Sequence, residues 1–168
     1  MQVDHGTGSV TGTIRGQQVV IADAISAFTV SHGSRPGSYA GILMSTVPQM
    51  CSDVKQHINR AASTTIVMGL FDATATRIQA PTGPGTYAVT NAMSGPVVSY
   101  GALVRDATCG VQSGTPATSG TVTLTSVVGD VYAGTFDVTL ESGDHVTGTF
   151  SPGACPALRQ DVGSPTCE

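Results

Sequence analysis

The residues able to do chemistry in this chain are few: four histidines, eleven acids, scattered serines and four cysteines. The histidines are His5, His32, His57 and His145, and none forms an HExxH or HxH pattern. Asp4-His5 and Asp144-His145 could share a metal only if the start of the chain folded back onto a turn near residue 144. Solvated turn residues are the simpler reading. Asp53 and His57 stand four apart on a candidate helix, which suits an ordinary surface pair. Ser34 follows His32 in a loop rich in Gly and Pro, but no G-x-S-x-G elbow accompanies it. Asp137 and Glu141 share one face of a strand at a separation of about 13 Å, beyond the span that paired-carboxylate glycoside hydrolysis uses. Asp130 and Asp144 fall in turns at opposite ends of one strand, and no DxDxD calcium loop is present. These residues assign no catalytic group, no metal ligand and no cofactor.

Aromatic platforms are equally sparse. There is no Trp, and the tyrosines are Tyr39, Tyr87, Tyr100 and Tyr132. Tyr132 lies on the apolar parity of its strand and reads as core. Tyr87 flanks the loop Pro81-Thr82-Gly83-Pro84-Gly85 and is the candidate for an exposed contact. The cysteines are Cys51, Cys109, Cys155 and Cys167, with no CxxC pair and no histidine at ligand spacing. An even count in a lysine-poor, strand-rich chain predicts two disulfides and an oxidising compartment. Three pairings are open. The favoured one joins Cys109 to Cys155, at the ends of segments flanking a common meander, and Cys51 to Cys167, tying a helix to the terminus.

These side chains need a scaffold, and the alternation of the chain describes it. In residues 119–150 Val122, Leu124, Val128, Tyr132, Phe136, Val138, Leu140, Val146 and Phe150 fall on one parity. Thr121, Thr123, Thr125, Thr135, Asp137, Thr139, Glu141, Thr147 and Thr149 fall on the other. That is an antiparallel meander with one dry and one wet face, turning at Gly129-Asp130 and Ser142-Gly143-Asp144. Residues 10–21 read as a hairpin turning at Arg15-Gly16-Gln17, and further strands are expected at 27–31, 39–46, 64–72, 86–91 and 97–107. Val47, Met50, Cys51, Val54, Ile58 and Ala61 recur at helical spacing. They predict one amphipathic helix over residues 47–61, capped by Ser45 or Thr46, with Asp53 on its wet side. The tail after Phe150 lacks periodicity and reads as coil stapled to the body. The expected fold is mainly β, an antiparallel β-sandwich or β-barrel of about ten strands with one helix.

Composition agrees. The chain has 168 residues, suited to one domain, with a flexible leader over 1–8 and a single β domain over 9–168. Charged residues make up 11% and the net charge is −4, so wet faces carry Thr and Ser in place of Lys and Glu. Lys55 is the only lysine and the arginines are scattered, which leaves no basic stripe for nucleic acid. No apolar run approaches the roughly 20 residues that span a bilayer. Met1 before polar QVDHGTGS reads as a start placed on a mature domain whose export signal or lipid anchor has been trimmed.

The segments GSVTGTIRGQQVVIADAISAF and SGTVTLT…GTFDVTLESGDHVTGTFSPGAC carry a resemblance. They resemble the two ends of small secreted β-rich lipoprotein domains of myxobacteria and related bacteria, including a "D-A" step at Asp23-Ala24. The resemblance implies export and a β fold and transfers no catalytic residue, because no activity is established for those domains. Together these readings predict a non-catalytic extracellular or cell-envelope β domain serving as a binding or structural module. The alternative is a small secreted hydrolase or metal-dependent enzyme with a loop-built site. Low charge and Thr-rich edges also raise self-association between copies.

Overall fold

The computed structural model describes residues 4–159 and 165–168. The elements in chain order are β1 (Thr7–Thr11), β2 (Thr13–Ile14), β3 (Gln17–Gln18), β4 (Asp23–Ser31), β5 (Gly37–Ser45) and helix α1 (Met50–Gln56). There follow β6 (Ile58–Asn59), β7 (Thr64–Ala73), β8 (Ile78–Gln79), β9 (Gly85–Ala88), β10 (Gly95–Arg105) and β11 (Val111–Val128). The chain then forms β12 (Val131–Leu140), β13 (His145–Ser151), β14 (Gly153–Ala154), a 3-10 turn (Pro156–Arg159) and β15 (Thr166–Cys167). Eleven strands join one nearly closed, barrel-like sheet. Its main run, β1-β13-β12-β11-β10-β7-β5-β4, is antiparallel at every step. The mainly β fold with one α-helix is as the alternation predicts.

The parity of the meander is also as read. Val122, Leu124, Tyr132, Phe136, Val138, Leu140, Val146 and Phe150 are buried in the main core. Thr125, Thr135 and Thr149 are exposed, and Thr123, Thr139 and Thr147 are half-buried on the outer face. Val128 breaks the pattern and is 72% exposed. The β11–β12 register shifts between Leu124 and Ser126, and the extra residue reverses the parity beyond it. Val127 packs against the core in its place.

The helix is shorter than its periodicity suggests. Val47 precedes Pro48 and is steered away from helical angles, and Gln49 adopts a left-handed φ of 64°. Ser45 and Thr46 do not cap α1. Asp23, far away in sequence, does: its Oδ2 accepts the Met50 N–H at 2.8 Å, while Oδ1 accepts the N–H groups of Ala24 at 2.8 Å and Gly6 at 3.0 Å. His57, at φ 56°, ends the helix, and Ile58 lies in β6 instead. Asp53 is 6% exposed, so it does not belong to the wet side and forms no surface pair with His57.

β1 begins inside the span 1–8 read as a flexible leader. Thr7 and Gly8, assigned to a flexible leader, pair with Ser151 and Phe150 in β1. A side chain at Gly8 would come within 2.4 Å of Met44 Cε, so the chain runs tight against the core there. At the opposite edge the chain leaves β13, crosses at Pro152 and becomes β14 beside β4. Side chains close the remaining seam. Ser26 Oγ donates to the Asp130 carbonyl at 2.7 Å and accepts the Tyr132 N–H at 3.3 Å. The Asp130 carboxylate accepts the Phe28 N–H at 2.9 Å and is held by the Arg159 guanidinium, whose Nε also donates to the Phe28 carbonyl.

Both disulfides are present, but the favoured pairing is wrong. Cys51 bonds to Cys155 and Cys109 to Cys167, with Cα–Cα distances of 5.6 and 5.7 Å. The reason is the crossing at Pro152. It carries Cys155 along β4 to the place where α1 presents Cys51 above Ile25. The last residues instead pair in parallel with β6, beside the turn that holds Cys109. The tail is therefore stapled as expected, with short strands and a 3-10 turn in place of plain coil. Its residues 160–164 lie outside the described residues.

Candidate functional site

The inner face of the sheet is filled by side chains, so concavity must be sought outside it. On the outer face Leu43 of β5, Val67 of β7 and Leu103 of β10 are half-buried and stand side by side, because Leu43 pairs with Val67 and the neighbouring register sets Leu103 beside Thr65. α1 and β6 lean over this patch without covering it. The gap is a groove of about 200 Å³, lined by these side chains with Met50 and Val54 of α1 and Ile58 of β6. Val67 and Leu103 also line a neighbouring hollow of about 320 Å³, with Ser99, Gly101 and Gly114.

Two arginines stand at the helix end of the groove. Arg60 grips the buried Asp53 carboxylate through two contacts, at 2.8 and 2.5 Å, and reaches Glu168 at 3.2 Å. The hydrogen bond to Asp53 raises the Arg60 pKa further above its ordinary value. Asp53 thus neutralises Arg60 and anchors α1 to the segment after β6. Arg105 is different. It donates one N–H to the Cys109 carbonyl at 3.3 Å, and among the described residues no carboxylate lies within salt-bridge distance of it. Ser45 and Ser63, which also line the groove, are occupied: Ser45 Oγ accepts the Val47 N–H and Ser63 Oγ donates to the Arg60 carbonyl. The groove therefore offers an apolar floor and one guanidinium with spare donors, with Asn59 and Thr65 also in its lining.

The residues singled out from sequence lie elsewhere. Tyr87 is 5% exposed and belongs to the main core, so it is not the exposed contact its place beside the Pro/Gly loop suggests. It sits opposite Val122 of β11, which commits its side chain to the inner face. Burial, and then the nearby Asp72, push its hydroxyl pKa up to about 12. His145 Nε2 meets Asp137 at 2.6 Å across β12 and β13, an exposed pair on the wet face. Asp144 accepts hydrogen bonds from Ser142 Oγ at 2.7 Å and Arg15 N–H at 2.9 Å, which hold its pKa below the ordinary value. It ties one hairpin tip to another and does not approach Asp4. Among the described residues no three His, Cys, Asp or Glu converge as a metal site. No helix is long and apolar enough to cross a membrane among them.

The wet face of the meander is itself regular. Ser9, Thr149, Thr135, Thr123 and Thr86 align in one row across five strands through their registers. The outer hydroxyls partner one another, Ser9 with Thr149 at 2.9 Å and Thr86 with Thr123 at 3.3 Å. Sequence reasoning missed the groove because its lining comes from five elements spread over residues 43–105 of the chain. Arg105 gave one signal: it ends a strand that is otherwise almost uncharged. No family model, no curated protein and no solved structure matches this chain.

Proposed function

We propose that this protein is an extracytoplasmic binding module, secreted or held at the cell envelope, that takes a ligand in the groove between α1 and the outer face of β5, β7 and β10. The groove carries the reading: its apolar floor and its unspent guanidinium are surface that the fold leaves uncovered. The compartment is supported by the two disulfides, which join all four cysteines in an oxidised protein. The resemblance to small myxobacterial lipoprotein domains fits a precursor anchored by lipid, and labelling a full-length precursor with radioactive palmitate in a bacterial host tests that part separately.

A thermal-shift screen of the oxidised protein against a chemically diverse panel tests the binding role. A ligand at 100 times its Kd stabilises the native state by about 2.7 kcal/mol. For a domain of this size that corresponds to a Tm rise of several degrees. The expected hit loses its effect in Leu103→Ser, which opens the groove floor. Turnover of ester, peptide or glycoside substrates that follows protein concentration would replace this reading with a hydrolase.

A further inference from the structure

We propose that the ligand of the groove is a small amphiphile with one carboxylate head, seated on Arg105, and an unbranched apolar chain lying along Val67 and Leu103. The inference rests on the binding-module reading above and names the ligand class for the same site.

The head group follows from the charges that face the groove. Asp53 is consumed by Arg60, and Arg60 shares its remaining contact with Glu168. Arg105 is left with one bond to a carbonyl and no carboxylate partner among the described residues. The protein carries a net charge of −4, yet the Arg105 guanidinium stands in the groove lining unmatched by a carboxylate among the described residues. A planar fork of N–H donors matches a carboxylate in two parallel bonds.

The chain follows from what the groove lacks. Two of its hydroxyls, on Ser45 and Ser63, are already engaged, which leaves Asn59 and Thr65 as the uncharged polar side chains open to a ligand. Strands β5, β7 and β10 are hydrogen-bonded along both edges at this point, so the sheet floor offers no open backbone edge to an extended peptide. Most of the remaining contact is apolar, and Val67 and Leu103 line both the groove and the hollow next to it. From Arg105 to Ser99 the strand runs about 20 Å, room for a medium-length aliphatic chain.

The test is calorimetric titration of the oxidised protein with decanoate below its micelle concentration, with decanol and decyltrimethylammonium as neutral and cationic probes. Saturable one-to-one binding of decanoate is expected, at least tenfold weaker in Arg105→Gln, with Arg105→Lys falling between the two because an ammonium keeps the charge but not the two parallel bonds. Leu103→Ser should weaken decanoate and decanol alike. Circular dichroism and intact mass confirm that each variant keeps its fold and both disulfides. Equal affinity for the cationic probe, no effect of Arg105→Gln, or only non-saturable detergent-like uptake overturns the proposal. If no decyl probe binds while a screened ligand still depends on Leu103, the amphiphile is wrong and the binding module stands. If Leu103→Ser affects no ligand, both readings fall together.

Discussion

The carboxylate of Asp23 is 1% exposed and accepts N–H groups from Gly6, Ala24 and Met50. One residue therefore holds the first strand, its own strand and the start of α1 in register. Asp23→Ala would strand three backbone donors, and it should cost about 2–4 kcal/mol. Chemical denaturation of the oxidised protein measures this, and a loss under 1 kcal/mol would show that water replaces the carboxylate freely. Tyr100 gives the opposite case. Its hydroxyl is buried without a hydrogen-bond partner among the described residues, and burial raises its pKa. Tyr100→Phe should leave stability unchanged or raise it by up to about 1 kcal/mol, because only a desolvated, unpaired group is removed. A loss of more than 1 kcal/mol would reveal a partner for that hydroxyl. Neither role was legible in the chain. Asp23-Ala24 stood out only as a local step, and an acid that caps a helix 27 residues away leaves no local trace.

At the scale of strands, much was legible, because burial on one face imposes a period of two that any reader of the chain can count. Phe136 packs between Tyr100 and Phe150, with ring centroids 5.4 and 6.5 Å away. Thr139 lies three residues on, half-buried on the outer face. Phe136→Ala should cost about 3–5 kcal/mol by leaving a cavity, whereas Thr139→Ser should cost under about 1 kcal/mol. Thermal melts of the two variants side by side check the facing; equal losses would contradict it. Where an element's signal failed, a local device had overridden the period. The register shift after Leu124 turned Val128 outward. Pro48 and the left-handed Gln49 delayed α1, and His57 ended it before Ile58 could extend the stripe. The candidate groove suffered most, since its floor alternates correctly on each strand yet only the sheet order brings Leu43, Val67 and Leu103 together.

Closure of the whole molecule depends on how the chain leaves β13. By crossing at Pro152 to lie beside β4, it joins the two ends of the sheet run, and the Cys51–Cys155 bond locks that crossing under α1. The cysteine count announced two bonds, but pairing follows from this crossing, which no periodicity encodes. The two disulfides enclose 104 and 58 residues of sequence separation. Loop-closure entropy alone makes the longer one more stabilising by only about 0.5 kcal/mol. Burial separates them further. Cys51 and Cys155 are 2% and 0% exposed within an apolar cluster, while Cys167 is exposed on a two-residue strand at the edge. Replacing Cys51 and Cys155 together by Ala should therefore destabilise by about 3–5 kcal/mol and loosen α1, the tail and the seam as one unit. Replacing Cys109 and Cys167 should cost about 2–4 kcal/mol and free mainly the segment paired with β6. Hydrogen exchange separates the two outcomes. Loss of protection across β4 and β12 in the first variant, with those strands unchanged in the second, is the expected pattern. Equal loss of protection in both would mean that the seam of Ser26, Asp130 and Arg159 closes the barrel without help from the buried bond.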